Sequence, residues 1–175
     1  MTTQNSTSQC SHWLYKNDNL SLTISAVADT FILGDKMFLE AKIINNSKKP
    51  VIIPKNYSLT SNLYPNGNSN DRLFKGGLFK LQIDTVSQWT AIHIEEMFIT
   101  KETEFITLKP DSSTRFKIDV GDHINSYNQE TSNDSLKIKS GSFYTLQLTY
   151  SSGIDNIQNE FKGHLVSNKV RMVIR

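Results

Sequence analysis

Cysteine is almost absent: Cys10 is the single one in 175 residues, so no disulfide can form within a monomer. It stands in a polar stretch with no rigid base beside it, which makes it a poor nucleophile. Runs of one charge are missing too. The formal net charge is +2, with basic and acidic residues spread evenly along the chain. That distribution draws neither a phosphate-tracking stripe nor a polybasic membrane anchor, and nucleic acid is not expected as a partner. No apolar run approaches the roughly 18 residues of a membrane-crossing helix. Met1 to Gln9 is wholly polar and lacks the charged start and apolar centre of a secretory signal. Also missing are an amphipathic helix longer than a turn or two and any internal repeat of solenoid or propeller length.

What is present is a period of two. Hydrophobic residues make up 37% and charged residues 21%, a globular composition. Leu20, Leu22, Ile24 and Ala26 alternate with polar residues, as do Met37, Leu39, Ala41 and Ile43. The same spacing returns at Phe79, Leu81 and Ile83, at Ile92 and Ile94 after Trp89, at Tyr144, Leu146, Leu148 and Tyr150, and at Val170, Met172 and Ile174. Val51 to Ile53, Phe105 to Leu108, Arg115 to Val120 and Phe161 to Val166 read as shorter strands. Alternation of this kind marks strands with one buried face. Turn-forming residues separate them, and Gly121 to Lys139 reads as a polar loop with at most one helical turn. About seven to nine short strands without intervening helices predict an all-β sandwich and speak against parallel βαβ units. Residues 1–18 are expected as a disordered or loosely attached tail and 19–175 as one domain. The stretch from about 55 to 77, with Tyr64-Pro65-Asn66-Gly67 and Gly76-Gly77, is expected as a long loop.

Three segments carry a resemblance. Phe31 to Asn45 followed by Lys49-Pro50-Val51 resembles the opening strands of bacterial immunoglobulin-like domains, in which a Gly-Asp turn leads into a strand ending at Asn. Leu108-Lys109-Pro110-Asp111-Ser112-Ser113 with Phe116 is similar to their Leu-x-Pro-Gly-x-Ser edge, with Asp111 where Gly is usual. Ser140 to Tyr144 is similar to the approach to a tyrosine corner, whose hydroxyl ties back to nearby backbone. These patterns occur in lipoprotein immunoglobulin-like domains and in the intracellular proteinase-inhibitor family. The resemblance implies an immunoglobulin-like antiparallel β-sandwich and brings no functional residues with it.

Candidate sites are sparse. His93 and Glu95 share a strand face, yet two ligands are short of the three or four a metal site needs, so a solvated face is the plainer reading. Glu95, Glu96, Glu102 and Glu104 lack the fixed carboxylate pair and apolar setting of a glycosidase. No serine sits in a nucleophile turn, and Lys75-Gly76-Gly77 lacks the spacing of a phosphate loop. Asn66, Asn68, Asn70 and Asp71 alternate somewhat like a calcium loop but bring one carboxylate, so an Asn/Gly turn accounts for them better. Aromatic residues remain: Tyr57, Tyr64 and Phe74 in the long excursion, with Trp13 and Tyr15 near the tail. On exposed loops they would offer contact area to a protein or glycan; folded back, they would form a small satellite core.

The expectation is therefore a non-catalytic binding or scaffolding module of the bacterial cell envelope, binding through Tyr57, Tyr64 and Phe74. No catalytic residue, metal or cofactor is expected. A cytosolic proteinase-inhibitor-like protein and a hydrolase with a site hidden from sequence are the alternatives. The Thr/Asn/Ser-rich start reads as an envelope tether, placing the protein in the periplasm or at the cell surface if a signal was trimmed, and in the cytoplasm otherwise.

Overall fold

The computed structural model describes residues 19–55, 57–61, 77–83, 104–135, 137–152 and 160–175. Among them are eleven strands and one helix, more strands than expected. The first half comprises β1 (Leu20–Ala26), β2 (Thr30–Phe31), β3 (Phe38–Asn45), β4 (Val51–Pro54), β5 (Tyr57–Ser61) and β6 (Gly77–Ile83). The second comprises β7 (Phe105–Leu108), β8 (Ser113–Asp119), α1 (Gly121–Glu130), β9 (Ser142–Ser152), β10 (Gly163–Val166) and β11 (Val170–Ile174). The protein is mostly β and is arranged in several sheets. One sheet has the order β1-β3-β8 and is antiparallel throughout. A larger sheet runs β2-β11-β9-β6-β5, with β10 also on β9, and a two-stranded ladder joins β4 to β7.

The alternation read from the sequence selects the buried face. Leu39, Ala41 and Ile43 of β3 are fully buried, as are Leu146, Leu148 and Tyr150 of β9 and Phe79 and Leu81 of β6. Each buried leucine or isoleucine contributes on the order of 1.5–3 kcal/mol. The inner faces meet through aromatic rings. Phe79 of β6 packs edge-on against Phe116 of β8 at 5.4 Å between centroids, and Tyr150 of β9 lies 5.0 Å from Phe79. Edge-to-face packing sets the electropositive ring edge on the electron-rich ring face.

Two pairings are parallel, where none was expected: β2 with β11 and β5 with β6. The first needs no crossover helix, because its partners come from opposite ends of the domain. The second is joined through residues 62–76, a length that meets the dozen or so residues a parallel connection requires. The stretch expected as a loop from 55 to 77 therefore contains a strand, Tyr57–Ser61. The strand expected around Trp89, Ile92 and Ile94 lies outside the described residues.

The segment expected as a loop from Gly121 onward holds a ten-residue helix. Its buried stripe is Ile124 and Tyr127, continued by Val120 before it and Thr131 after it. That i, i+4, i+7 spacing is helical, but two apolar residues among ten are too few to register as amphipathic periodicity. Asp119 replaces a conventional cap: its Oδ1 accepts from the backbone N–H of Gly121 at 3.0 Å and of Met37 at 3.3 Å. Asn125 of the helix accepts from Gly34 N–H at 3.0 Å, holding the turn at Gly34, whose φ is +101°. Gly121 sits against this turn so closely that a Cβ would lie 2.5 Å from Asp35 O and 2.6 Å from Met37 N.

Gly121→Ala is expected to destabilise the protein by about 2–3 kcal/mol, because both clashes are with backbone and overpacking has no flexible side chain to displace. Chemical denaturation checks this, and a loss under 1 kcal/mol would mean the turn moves freely. His123, on the same helix, has its imidazole pushed down to about 4 by burial. A histidine depressed in the fold binds fewer protons there than when unfolded, so stability rises with pH between about 4 and 6.5. The contribution is whole above the unfolded value and is lost as pH falls toward the folded one. NMR titration of the His123 ring should give a midpoint near 4, and His123→Gln should flatten the stability slope across that window.

Candidate functional site

The site begins at the end of β3. Asn45 is fully buried, and a buried amide must find partners for both its ends. Its Nδ2 donates to the carbonyls of Lys49 at 2.8 Å and Leu108 at 2.9 Å, and its Oδ1 accepts from Ser47 N–H at 2.9 Å. The Ser47 hydroxyl lies 2.7 Å from Asn45 Oδ1 and 2.8 Å from the Lys49 carbonyl, donating to one at a time, and accepts from Lys49 N–H at 3.2 Å. These bonds curl Ser47-Lys48-Lys49 into a tight loop that turns the chain out of the first sheet. Pro50, with its fixed φ, then delivers it to β4.

The opposite wall comes from far along the chain. Ile52 of β4 forms a parallel bridge with Glu160, and Phe161 N–H donates to the Ile52 carbonyl at 2.8 Å. Between the walls lies an open cleft of about 580 Å³, lined by Asn19, Leu20, Ser47–Val51 and Glu160–Lys162. That volume suits a small molecule. Pro50 and Val51 supply apolar wall backed by the buried Leu20 and Phe161, and three lysines, Lys48, Lys49 and Lys162, stand against one carboxylate, Glu160.

Glu160 is turned inward. It is 8% exposed, and its Oε1 accepts from the Ser152 hydroxyl at 3.1 Å. Its Oε2 and the Tyr150 hydroxyl are both buried with no hydrogen-bond partner among the described residues. Ser152 stands beside both groups, and giving its bond to Glu160 leaves the Tyr150 hydroxyl without a well-formed one. The Tyr150 phenol is raised well above its ordinary range, chiefly by burial, against a lowering from Ser152 and with a lesser further rise from the Glu160 charge. It stays protonated and stacks behind the cleft wall, 6.3 Å from Phe161.

Of the aromatic residues expected to bind, Tyr57 alone is described; Tyr64 and Phe74 lie outside the described residues. Tyr57 is half-buried, edge-on to Phe79 at 5.3 Å and Phe116 at 5.6 Å, and its hydroxyl donates to the Lys117 carbonyl at 2.8 Å. Burial, then the Asp119 charge, raises its phenol. These contacts join Tyr57 to the main core through Phe79 and Phe116. His93, Glu95, Glu96, Glu102, Cys10, Trp13, Tyr15 and the Asn66–Asp71 run lie outside the described residues. Glu104 is exposed and pairs with Lys55 at 2.7 Å.

Sequence reasoning passed over Lys48, Lys49, Glu160 and Lys162. The Asn-Asn-Ser-Lys-Lys-Pro run carried a signal, a turn with paired cations, but it was read as the end of a strand. Nothing in the sequence brings residue 160 to residue 52.

One further pair has a chemical look. The Ser151 hydroxyl and His164 Nδ1 are 2.6 Å apart, because Ser151 and His164 face each other across β9 and β10. The pair sits on an exposed strand face, and no described carboxylate orients the imidazole as a triad requires. Among the described residues no three His, Cys, Asp or Glu side chains cluster to hold a metal ion, and no helix is long and apolar enough to cross a membrane. No family model matches the chain, and no curated protein matches it.

The unpartnered Tyr150 hydroxyl yields a prediction of unusual sign. Removing an unsatisfied buried polar atom while keeping the ring removes a desolvation cost, so Tyr150→Phe should hold or raise stability by up to about 1 kcal/mol. A loss above about 1 kcal/mol in denaturant unfolding would show that the hydroxyl has a partner in the folded protein.

Proposed function

We propose that this chain is an immunoglobulin-like β-sandwich module of the bacterial cell envelope that binds a small ligand in the cleft between the Ser47–Val51 loop and Glu160–Lys162, without transforming it. The observation that carries the binding reading is the way the cleft's reactive side chains are already engaged. The Ser47 hydroxyl is shared between Asn45 and Lys49, and Glu160 gives Oε1 to Ser152 while keeping Oε2 buried. Groups tied into the wall in this way hold its shape and are poorly placed to act as nucleophile or base. Apolar wall and pendant cations are what a recognition pocket offers.

The sandwich reading is supported by three features. The inner faces of the two larger sheets meet through Phe79 and Phe116. The short strand β2 runs parallel to the last strand, β11, while β9 lies between β11 and β6. The Tyr144 hydroxyl accepts from Lys139 N–H at 2.7 Å and donates to its carbonyl at 3.3 Å, the tie of a tyrosine corner. The envelope setting rests on the Thr/Asn/Ser-rich start and on the resemblance to lipoprotein domains.

The test is a titration of the ¹⁵N-labelled full chain with a panel of small acids, amines, alcohols and sugars. Saturable amide shifts are expected to cluster on Ser47–Val51 and Glu160–Lys162, with the bound compound recovered unchanged after prolonged incubation. A panel without a saturating compound, shifts clustered elsewhere, or conversion of the compound would overturn the reading.

A further inference from the structure

The side-chain inventory of the cleft sets the chemistry of what enters it. Ser47 is spent within the loop, and the Glu160 carboxylate is spent on Ser152 or buried out of reach. Asn19 and Lys162 have interactions of their own. That leaves the ammonium groups of Lys48 and Lys49, both residues exposed and with no side-chain partner among the described residues. An ammonium group has three donors and no acceptor, so the polar side-chain groups left to a ligand are donors carrying positive charge. A ligand's polar end must therefore bring acceptors, and negative charge makes those hydrogen bonds stronger. Beside the lysines, exposed Pro50 and half-buried Val51 offer apolar surface, with the core residues Leu20 and Phe161 packed behind them. A small apolar body buried there loses water contact at no cost in unpaired polar groups.

We propose that the cleft binds a small amphiphile with an anionic oxygen head, a carboxylate or a phosphate ester, the head held by Lys48 and Lys49 and the apolar body lying along Pro50 and Val51. The proposal rests on the cleft being the binding site, as argued above, and adds the sign of the ligand's charge. An amine-headed amphiphile of the same length meets two ammonium groups of its own sign. A neutral one leaves both lysines to water. The tight loop positions the two cations: Asn45 fixes the carbonyl of Lys49 and Ser47 fixes its N–H, so the backbone carrying them is held from below while their side chains stay free.

The experiment compares octanoate, octyl phosphate, octylamine and 1-octanol on the full chain, following amide shifts of Ser47, Lys48, Lys49, Val51, Phe161 and Lys162. Octanoate or octyl phosphate is expected to saturate these shifts about tenfold more tightly than octanol, with octylamine weaker still; two exposed ion pairs set that scale. Which of the two anions binds better identifies the head group. The double variant Lys48→Glu, Lys49→Glu, which alters exposed side chains only, should erase the preference for the anions over octanol. Equal binding of octanoate and octanol, or a preference for octylamine, overturns the anionic assignment while leaving the cleft as the binding site. Absence of binding by all four overturns both. Anion binding unaffected by the double variant also overturns the assignment to these lysines.

Discussion

A side-chain amide that finishes a backbone hydrogen-bond pattern where the ladder stops is the interaction on which this structure turns. Asn168 uses both ends of its amide on one residue, accepting from Ile24 N–H at 2.8 Å and donating to the Ile24 carbonyl at 3.0 Å. That copies a strand partner between β10 and β11, and so ties β1 of the first sheet to the larger sheet. Asn128 does the same for Ile138, at 2.8 Å on each side, and fastens the chain after α1 to the helix. Asn45, buried and fully satisfied, ends β3 and begins the loop to β4. Backbone groups cannot be buried unpaired. Each amide lets the chain leave one sheet and reach another without stranding them, and the cost of losing one is the desolvation of two backbone groups together.

This arrangement explains why the cleft sits where it does. Strands β3 and β4 belong to different sheets, and a chain passing between sheets must turn sharply outside both. Asn45 makes that turn possible, and the turn places two lysines at its apex. The same crossing brings β4 beside Glu160, so the floor of the cleft is the seam between the first sheet, the β4–β7 ladder and the segment entering β10. Behind it, Tyr150 and Phe79 carry contact through the core to Phe116 and Tyr57. The cleft is thus backed by close-packed rings, and close packing resists deformation.

The strands were legible in the sequence because each has one buried face, and a period of two survives without any knowledge of partners. Leu39-x-Ala41-x-Ile43 and Tyr144-x-Leu146-x-Leu148-x-Tyr150 needed no tertiary context. The turn at Asp111 was legible as an oddity: its φ of +59° is the left-handed conformation that explains why glycine is usual there. The helix was hidden because its buried stripe is shared with Val120 and Thr131, outside its own ends. The parallel pairings and the bridge from Ile52 to Glu160 were hidden for a different reason. Pairing is a relation between distant segments, and alternation records only that a strand has an inside. The candidate cleft inherits that blindness. Its lysines were visible as residues, but the carboxylate, the phenylalanine and the third lysine opposite them came from more than 110 positions away.

The overall charge limits how such a cleft can work. A net charge of +2 over 175 residues sets up no broad field to draw an anion from a distance. At physiological salt, exposed charges are screened beyond about 8 Å. In the proposed complex Lys48 and Lys49 therefore act at contact range, on a ligand already lying against the apolar wall. On the proposed reading recognition divides accordingly: burial against Pro50 and Val51 supplies attraction that any apolar body of suitable size would share, and the paired ammonium groups choose among such bodies by their heads. The selectivity is local because Asn45, a neutral side chain held in the core, fixes the backbone beneath two charged ones that remain in water.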